Sequence, residues 1–255
     1  MAGGVPAARQ TLAILTFLAS RPGPAGAAVI ARELGLPRST AYHLLAELQA
    51  ADFVVNLPEE RSFGLGVAAF EVGSAYLRHD PLERLARPLL ARLVEQTGRT
   101  AHLGILQGNE TLYLLKEQPR TPPTLITDVG VRLPAHLTAS GRAMLAHLPA
   151  AQVRALYPSS DSFVTRTGRG PASLRELRER VRAERAAGYA EEDGSVTAGY
   201  ASVAACVFDH GGRPTASVSV TFPDDVDPRR RARLGAACVA AADTVTSRIS
   251  GRRPA

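Results

Sequence analysis

The stretch AAVIARELGLPRSTAYHLLA, residues 27–46, decides the fold of the N-terminal part of this chain. Its residue sizes suit two short helices that cross closely through a tight turn. Ile30, Leu34, Leu36, Ala41 and Leu44 fall where the helices would face each other and the core. Ala31 is the small residue at the crossing, and Gly35 stands where the turn needs a positive φ. Pro37 can open the second helix, because its missing N–H would be unpaired in the first turn anyway, and Ser39 or Thr40 can satisfy neighbouring donors. The outer face of that helix then carries Arg38, Ser39, Tyr42 and His43, with Thr40 at its margin.

On the N-terminal side, Leu12, Leu15 and Leu18 mark a preceding helix at the same spacing. On the C-terminal side, Phe53-Val54-Val55, a polar turn around Pro58-Glu59-Glu60 and Ser62-Phe63-Gly64-Leu65 read as two short strands joined by a loop. Three helices and a strand pair make a winged helix-turn-helix, in which the third helix enters the major groove of duplex DNA. Arg38, Ser39, Thr40, Tyr42 and His43 are the base-edge candidates, and Arg61 on the wing is a phosphate or minor-groove candidate. Val67–His79 returns to helical spacing and ends at Asp80-Pro81.

Residues 1–80 hold six arginines, no lysine and seven carboxylates. One copy carrying that balance holds the DNA polyanion weakly, so a paired arrangement on a palindromic site is expected. The connecting helix, with small Gly73, Ser74 and Ala75 on it, is the expected seam. The chain's net charge of +6 comes from residues 81–255. Its arginine clusters at 175–185, 229–233 and 252–253 read as solvated helix faces and a tail.

From Leu82 onward the pattern changes. A helix is expected through Thr97, strands near Thr100–Leu106 and Thr111–Lys116, and helices over Ala139–Leu148 and Ser173–Ala187. Strands near Ser202–Phe208 and Pro214–Thr221 and a last helix over Asp227–Ser250 follow. The fold class is α+β: a winged helix-turn-helix over residues 1–66, a linker and dimerisation helix over 67–80, and over 81–255 a domain of helices on an antiparallel sheet.

Composition bounds the function. At 255 residues with 45% hydrophobic and 21% charged residues, the chain reads as soluble and globular. It has no run of eighteen apolar residues, and its N-terminal stretch lacks the basic start and cleavage site of a signal peptide, so a cytoplasmic protein with no membrane partner is expected. Cys206 and Cys238 lack metal-site spacing and read as buried thiols. No nucleophile elbow, P-loop or HExxH is present, and His102, His136 and His210 are scattered, so no enzyme, cofactor or metal site is expected.

The segments IARELGLPRSTAYHLLAEL (30–48), SFGLG (62–66), LPAHLTASGRAMLAHLP (133–149) and GYAEEDGSVTAGYASVAACVFDHGGRPTASVSV (188–220), in that order, resemble the IclR family of bacterial transcription regulators. The resemblance spans residues 9 to 250. It implies a linker helix and a GAF/PAS-like effector-binding domain, working as a homodimer or a dimer of dimers. It places the effector-binding residues at Leu125, Leu133, Ala139, Ser140, Glu192, Tyr200, Ser202, Ser219 and Thr221. The free N–H groups opening the Ala139 helix and the hydroxyls of Ser202, Ser219 and Thr221 would suit a small carboxylate, and Tyr200 an aromatic compound. Three positions depart from the family's pattern: Ser195 in place of glutamate, Cys206 in place of proline and Arg142 in place of lysine. The alternative reading keeps the DNA-binding part but gives the C-terminal domain only oligomerisation or a protein partner.

Overall fold

The computed structural model describes residues 5–79, 81–121 and 125–254. The chain divides into two compact units, Met1–Asp80 and Pro81–Ala255.

The first unit holds α1 (Pro6–Ala19), α2 (Ala27–Glu33), α3 (Arg38–Ala50), β1 (Val54–Leu57), β2 (Ser62–Leu65) and α4 (Val67–His79). Its core joins Ile14 and Leu18 of α1, Ala27 and Ile30 of α2, and Leu45 and Leu48 of α3, with Val54 beneath them. Ala31 and Ala41 are buried at the crossing, whereas Leu34, Leu36 and Leu44 are only partly covered. Gly35 takes φ +64°. Around it the Leu36 N–H donates to the Ala31 carbonyl and the Gly35 N–H to the Arg32 carbonyl. That pair of bonds closes α2 as a Schellman motif, and a left-handed residue is what it requires.

One local expectation fails. The helix opens at Arg38, Pro37 is its N-cap, and no side chain caps it. The hydroxyls of Ser39 and Thr40 therefore do not take up the first-turn N–H groups. Pro37 keeps extended backbone (ψ 141°), so the helical geometry begins one residue later than its fixed φ alone suggests.

β1 and β2 pair antiparallel from Val54↔Leu65 to Leu57↔Ser62. Ala25 and Phe63 exchange both backbone hydrogen bonds at 2.9 Å, which ties the wing to the residues leading into α2.

The second unit comprises α5 (Pro81–Thr97), β3 (Thr100–Gln107), β4 (Glu110–Glu117), β5 (Arg132–Pro134), α6 (Ala139–Leu145), α7 (Ala150–Leu156), α8 (Leu174–Ala187), β6 (Ala190–Asp193), β7 (Tyr200–Phe208), β8 (Pro214–Pro223) and α9 (Pro228–Arg248). The six strands form one antiparallel sheet in the order β5-β4-β3-β8-β7-β6. The expected α+β class is what the chain adopts. α6 stops at Leu145, three residues short of the expected end. β5, β6 and α7 are additions: β5 is short and carries Pro134 at the sheet edge, where a missing N–H is tolerated, and β6 reads as an acidic cluster rather than a strand.

The two faces of this sheet differ sharply. Ala101, Leu103, Val203, Ala205, Val207, Ala216, Val218, Val220 and Phe222 point to one face and form an apolar core with α5 and α9, including Leu90, Leu93, Leu234, Cys238 and Val245. Residues one step along each strand point the other way: Thr100 and His102, Ser217, Ser219 and Thr221, Ser202, and Glu192. That second face is buried yet polar. α6 covers part of it, setting Ala139 and Ala143 against Ala190 and Ala204.

Candidate functional site

On α3 the buried positions Ala41, Leu45 and Leu48 leave the opposite face free. Arg38, Ser39, Tyr42 and His43 are exposed on it, and Thr40 is half-buried. Tyr42 keeps 55% of its surface, a large exposure for an aromatic ring. Neither Arg38 nor Arg61 makes an ion pair among the described residues. Arg61 ends the turn of the wing at φ +49° with its side chain exposed. The face thus offers unpaired guanidinium groups, hydroxyls and an uncapped helix start, all suited to phosphate and base edges.

In the second unit a cavity opens between α6, the polar sheet face and the segment after residue 124. It is lined by Leu125, Ile126, Thr127, Tyr113, Thr138, Ala139, Ser140, Glu192, Val196, Thr197, Tyr200, Ser202 and Thr221. Only about 20 Å³ of it is open to the centre of a water molecule. That is room for one water. Ile126 is 42% exposed at the mouth, and Thr197 and Tyr200 are half-buried.

Leu125, Ala139, Ser140, Glu192, Tyr200, Ser202 and Thr221 come together here, although they arise from five separate segments of the chain. Leu133 and Ser219 do not line the cavity. Leu133 packs with Tyr113, Leu137 and Val196 behind the wall. Ser219 shares the sheet face with Thr221, as strand alternation requires, but lies one pair further in, between His102 and Ala204, at 2% exposure.

Hydrogen bonds order the polar wall. Ser202 Oγ donates to Glu192 Oε1 at 3.0 Å, the Ser195 N–H donates to Glu192 Oε2 at 3.0 Å, and Ser202 and Thr221 hydroxyls are 3.1 Å apart. Burial raises the Glu192 carboxyl to about 7, against the pull of these donors. Burial likewise raises the Tyr113 hydroxyl, which bonds to Ser140. His102 lies 5.1 Å from the Tyr113 ring, and burial, aided by Lys116, lowers it to about 4, so the ring is neutral.

The opening turn of α6 differs from the expected anion site. Thr138 caps it, accepting the Gly141 N–H at 2.9 Å and bonding to Thr111 at 2.9 Å. The helix is seven residues long, too short to sum much of a dipole. Gly141 sits so close to Ala135 that a Cβ would come within 2.3 Å of its carbonyl oxygen.

Arg142, flagged only as a departure from lysine, is 2% exposed. Its Nε donates to Glu184 at 2.9 Å, Nη1 to the carbonyls of His136 and Leu137, and Nη2 to the Glu191 carbonyl. It ties α6 to α8 and to β6. Tyr113, Ile126, Thr127, Thr138, Val196 and Thr197 are the lining residues missed in the sequence. Thr138 was within reach, since a threonine before ASGR has the form of an N-cap.

An exposed reading helix with a wing, and a separate domain built around a small polar cavity, define a class: DNA-binding regulators with a ligand domain. The chain belongs to the IclR family of transcription regulators. The IclR helix-turn-helix domain matches residues 7–58, and the bacterial transcriptional regulator IclR C-terminal domain matches residues 74–247. The transcriptional repressor IclR of Escherichia coli K12 is 28% identical over 256 residues, covering 98% of this chain and 92% of that one. The structure of an IclR transcriptional regulator from Alicyclobacillus acidocaldarius superposes with a TM-score of 0.85 at 23% identity, covering 98% and 100% of the two chains. An IclR homolog from Microbacterium hydrocarbonoxydans, complexed with 4-hydroxybenzoate, gives a TM-score of 0.79 at 20% identity, covering 95% and 98%. The chain is a DNA-binding transcription regulator and not an enzyme. Among the described residues no helix is long and apolar enough to cross a membrane.

Proposed function

We propose that α3 reads an operator through Arg38, Ser39, Thr40, Tyr42 and His43, that Arg61 on the wing holds phosphate or minor groove, and that the cavity beside α6 is the effector site. The observation that carries the effector reading is the meeting of Glu192, Ser202, Thr221, Ser140 and Tyr200 around one cavity on a buried polar sheet face. A sheet face with no ligand to bind is more stably covered by apolar side chains, as the opposite face of this sheet is.

Pairing supports the DNA reading. Val67 and Phe70 of α4, three residues apart on one side of the helix, are 59% and 73% exposed, and an exposed apolar pair of that kind suits a second copy. Two copies on a palindromic operator offset the shortage of positive charge in residues 1–80. Effector binding opens the cavity, since anything larger than a water must displace Tyr200 or the segment at 125–127, and changes operator affinity by roughly 5–150-fold. The protein works in the cytoplasm, beside the DNA it reads.

A thermal-shift screen of small alcohols, amides, acids and phenols tests the cavity. A ligand at 100 times its Kd adds about 2.7 kcal/mol of stability. No shift with any compound, together with operator binding that no compound alters, favours the other reading, in which the second unit only oligomerises or meets a protein. The near-closed state of the cavity is the observation on that side.

A further inference from the structure

An open groove of about 490 Å³ runs between α7 and α8, on residues that neither the effector cavity nor α3 uses. Its floor is apolar: Leu145, Val153 and Val181 are buried in it, Leu148 is half-buried and Pro149 is exposed. Its rim is Arg154 from α7 and Arg178, Arg182 and Arg185 from α8, and among the described residues no carboxylate lines it. The three arginines of α8 stand four and three residues apart, so they share one side of the helix over roughly 10 Å. Arg154, Arg182 and Arg185 are exposed and Arg178 is half-buried.

None of the four makes an ion pair among the described residues, whereas Arg142, Arg231 and Arg253 of the same unit are each held by a carboxylate. Like charges at this spacing repel along a helix, so the row adds nothing to the stability of α8 itself. Arg178 carries a further cost. Its Nε is buried without an acceptor among the described residues, and a buried donor left unpaired is uncommon in a folded chain. The positive field also reaches the neighbouring ring of His147, which burial first, and then Arg185 and Arg253, lower to about 4.

A single small anion meets one or two of these guanidinium groups and leaves the rest of the row unanswered. A DNA backbone supplies charge but nothing apolar for the floor. A protein segment with carboxylates at helical spacing and aliphatic side chains between them answers both. We propose that this groove docks an acidic, amphipathic segment of a partner protein. Its carboxylates lie along Arg178, Arg182, Arg185 and Arg154, and an aliphatic side chain covers Leu148 and Pro149.

The test is fluorescence anisotropy of the whole protein with a labelled peptide that repeats Glu-Glu-Leu-Leu three times. Two control peptides replace every Glu by Gln or every Leu by Ser, and a labelled duplex of random sequence is the third control. Wild type is compared with Arg182→Glu/Arg185→Glu, two exposed positions, with near-UV circular dichroism to check the fold. The acidic peptide should bind wild type and weaken at least tenfold in the variant, and both control peptides should bind wild type at least tenfold more weakly. The duplex should bind the two proteins within twofold. No binding of the acidic peptide to wild type, or equal binding to both proteins, overturns the proposal. So does a Ser-containing peptide that binds as tightly as the Leu-containing one, since the floor then plays no part. A loss of duplex affinity in the variant assigns the row to nucleic acid, and a smaller particle in light scattering assigns the groove to a second copy; either result overturns the proposal.

Discussion

The outer face of α3 and the cavity beside α6 are both polar surfaces in a small protein, and they are built in opposite ways. On α3 the polar groups stand in water, with Arg38 in no ion pair among the described residues and Tyr42 more than half exposed, over a core of Ile30, Ala41 and Leu45 packed to 0% exposure. Around the cavity the polar groups are themselves buried: Glu192 at 4%, Ser140 at 1% and Thr221 at 8%. A surface that waits for DNA needs little from its neighbours, because water satisfies it until the phosphates arrive. A buried polar surface must be satisfied by a hydrogen-bond network, and any change of partner or protonation is felt throughout it.

The contrast predicts large effects at the cavity and modest ones on α3. The largest is Arg142→Ala, which leaves Glu184 buried without its partner. It should lower the unfolding free energy of the second unit by about 3–5 kcal/mol in urea titration. Arg142→Met with Glu184→Leu should recover most of that, and if it does not, the pair is more than a brace.

Next is pH. The Glu192 carboxyl has its folded value raised to about 7 from an ordinary 4.5, so its ionised form is disfavoured in the fold. Below pH 4.5 it is protonated folded and unfolded and adds no difference. Between 4.5 and 7 stability falls as pH rises, and above 7 the full cost, on the order of 3 kcal/mol, is present. Glu192→Gln should remove that slope from a comparison of unfolding free energy at pH 4.5 and 8. Thr138→Ala removes the cap of α6 and should cost about 1 kcal/mol by the same measurement. The smallest effect belongs to Arg61→Ala, which should reduce the slope of log affinity against log salt for duplex DNA by about 1, with sequence preference unchanged.

The same contrast explains what could be read from the sequence. The helix-turn-helix is legible because its constraints are local: Ile30, Ala31, Gly35 and Ala41 lie within twelve residues, and each has a size or a φ that the crossing demands. The cavity is assembled from strands far apart in sequence, and strand alternation says only that Ser219 and Thr221 share a face. It does not say that α6 covers one and leaves the other open. Leu133 illustrates the same gap, since its partners Tyr113, Leu137 and Val196 are set by the β4–β5 pairing. β6 was hidden because AEED has the composition of a solvated loop, and it is a strand only because Ser202 and Ala204 of β7 pair with it. An arginine at 142 gives no sign in sequence that it will be buried, because its carboxylate stands 42 residues away.

The most direct test of the account is the binding of a duplex, selected by the wild-type protein from a random-sequence pool, to Arg38→Ala by fluorescence anisotropy at fixed salt. The account predicts a loss of about 1–3 kcal/mol in discrimination between the selected duplex and a scrambled one, with the unfolding free energy unchanged. Equal affinity and equal selectivity in wild type and variant would contradict it.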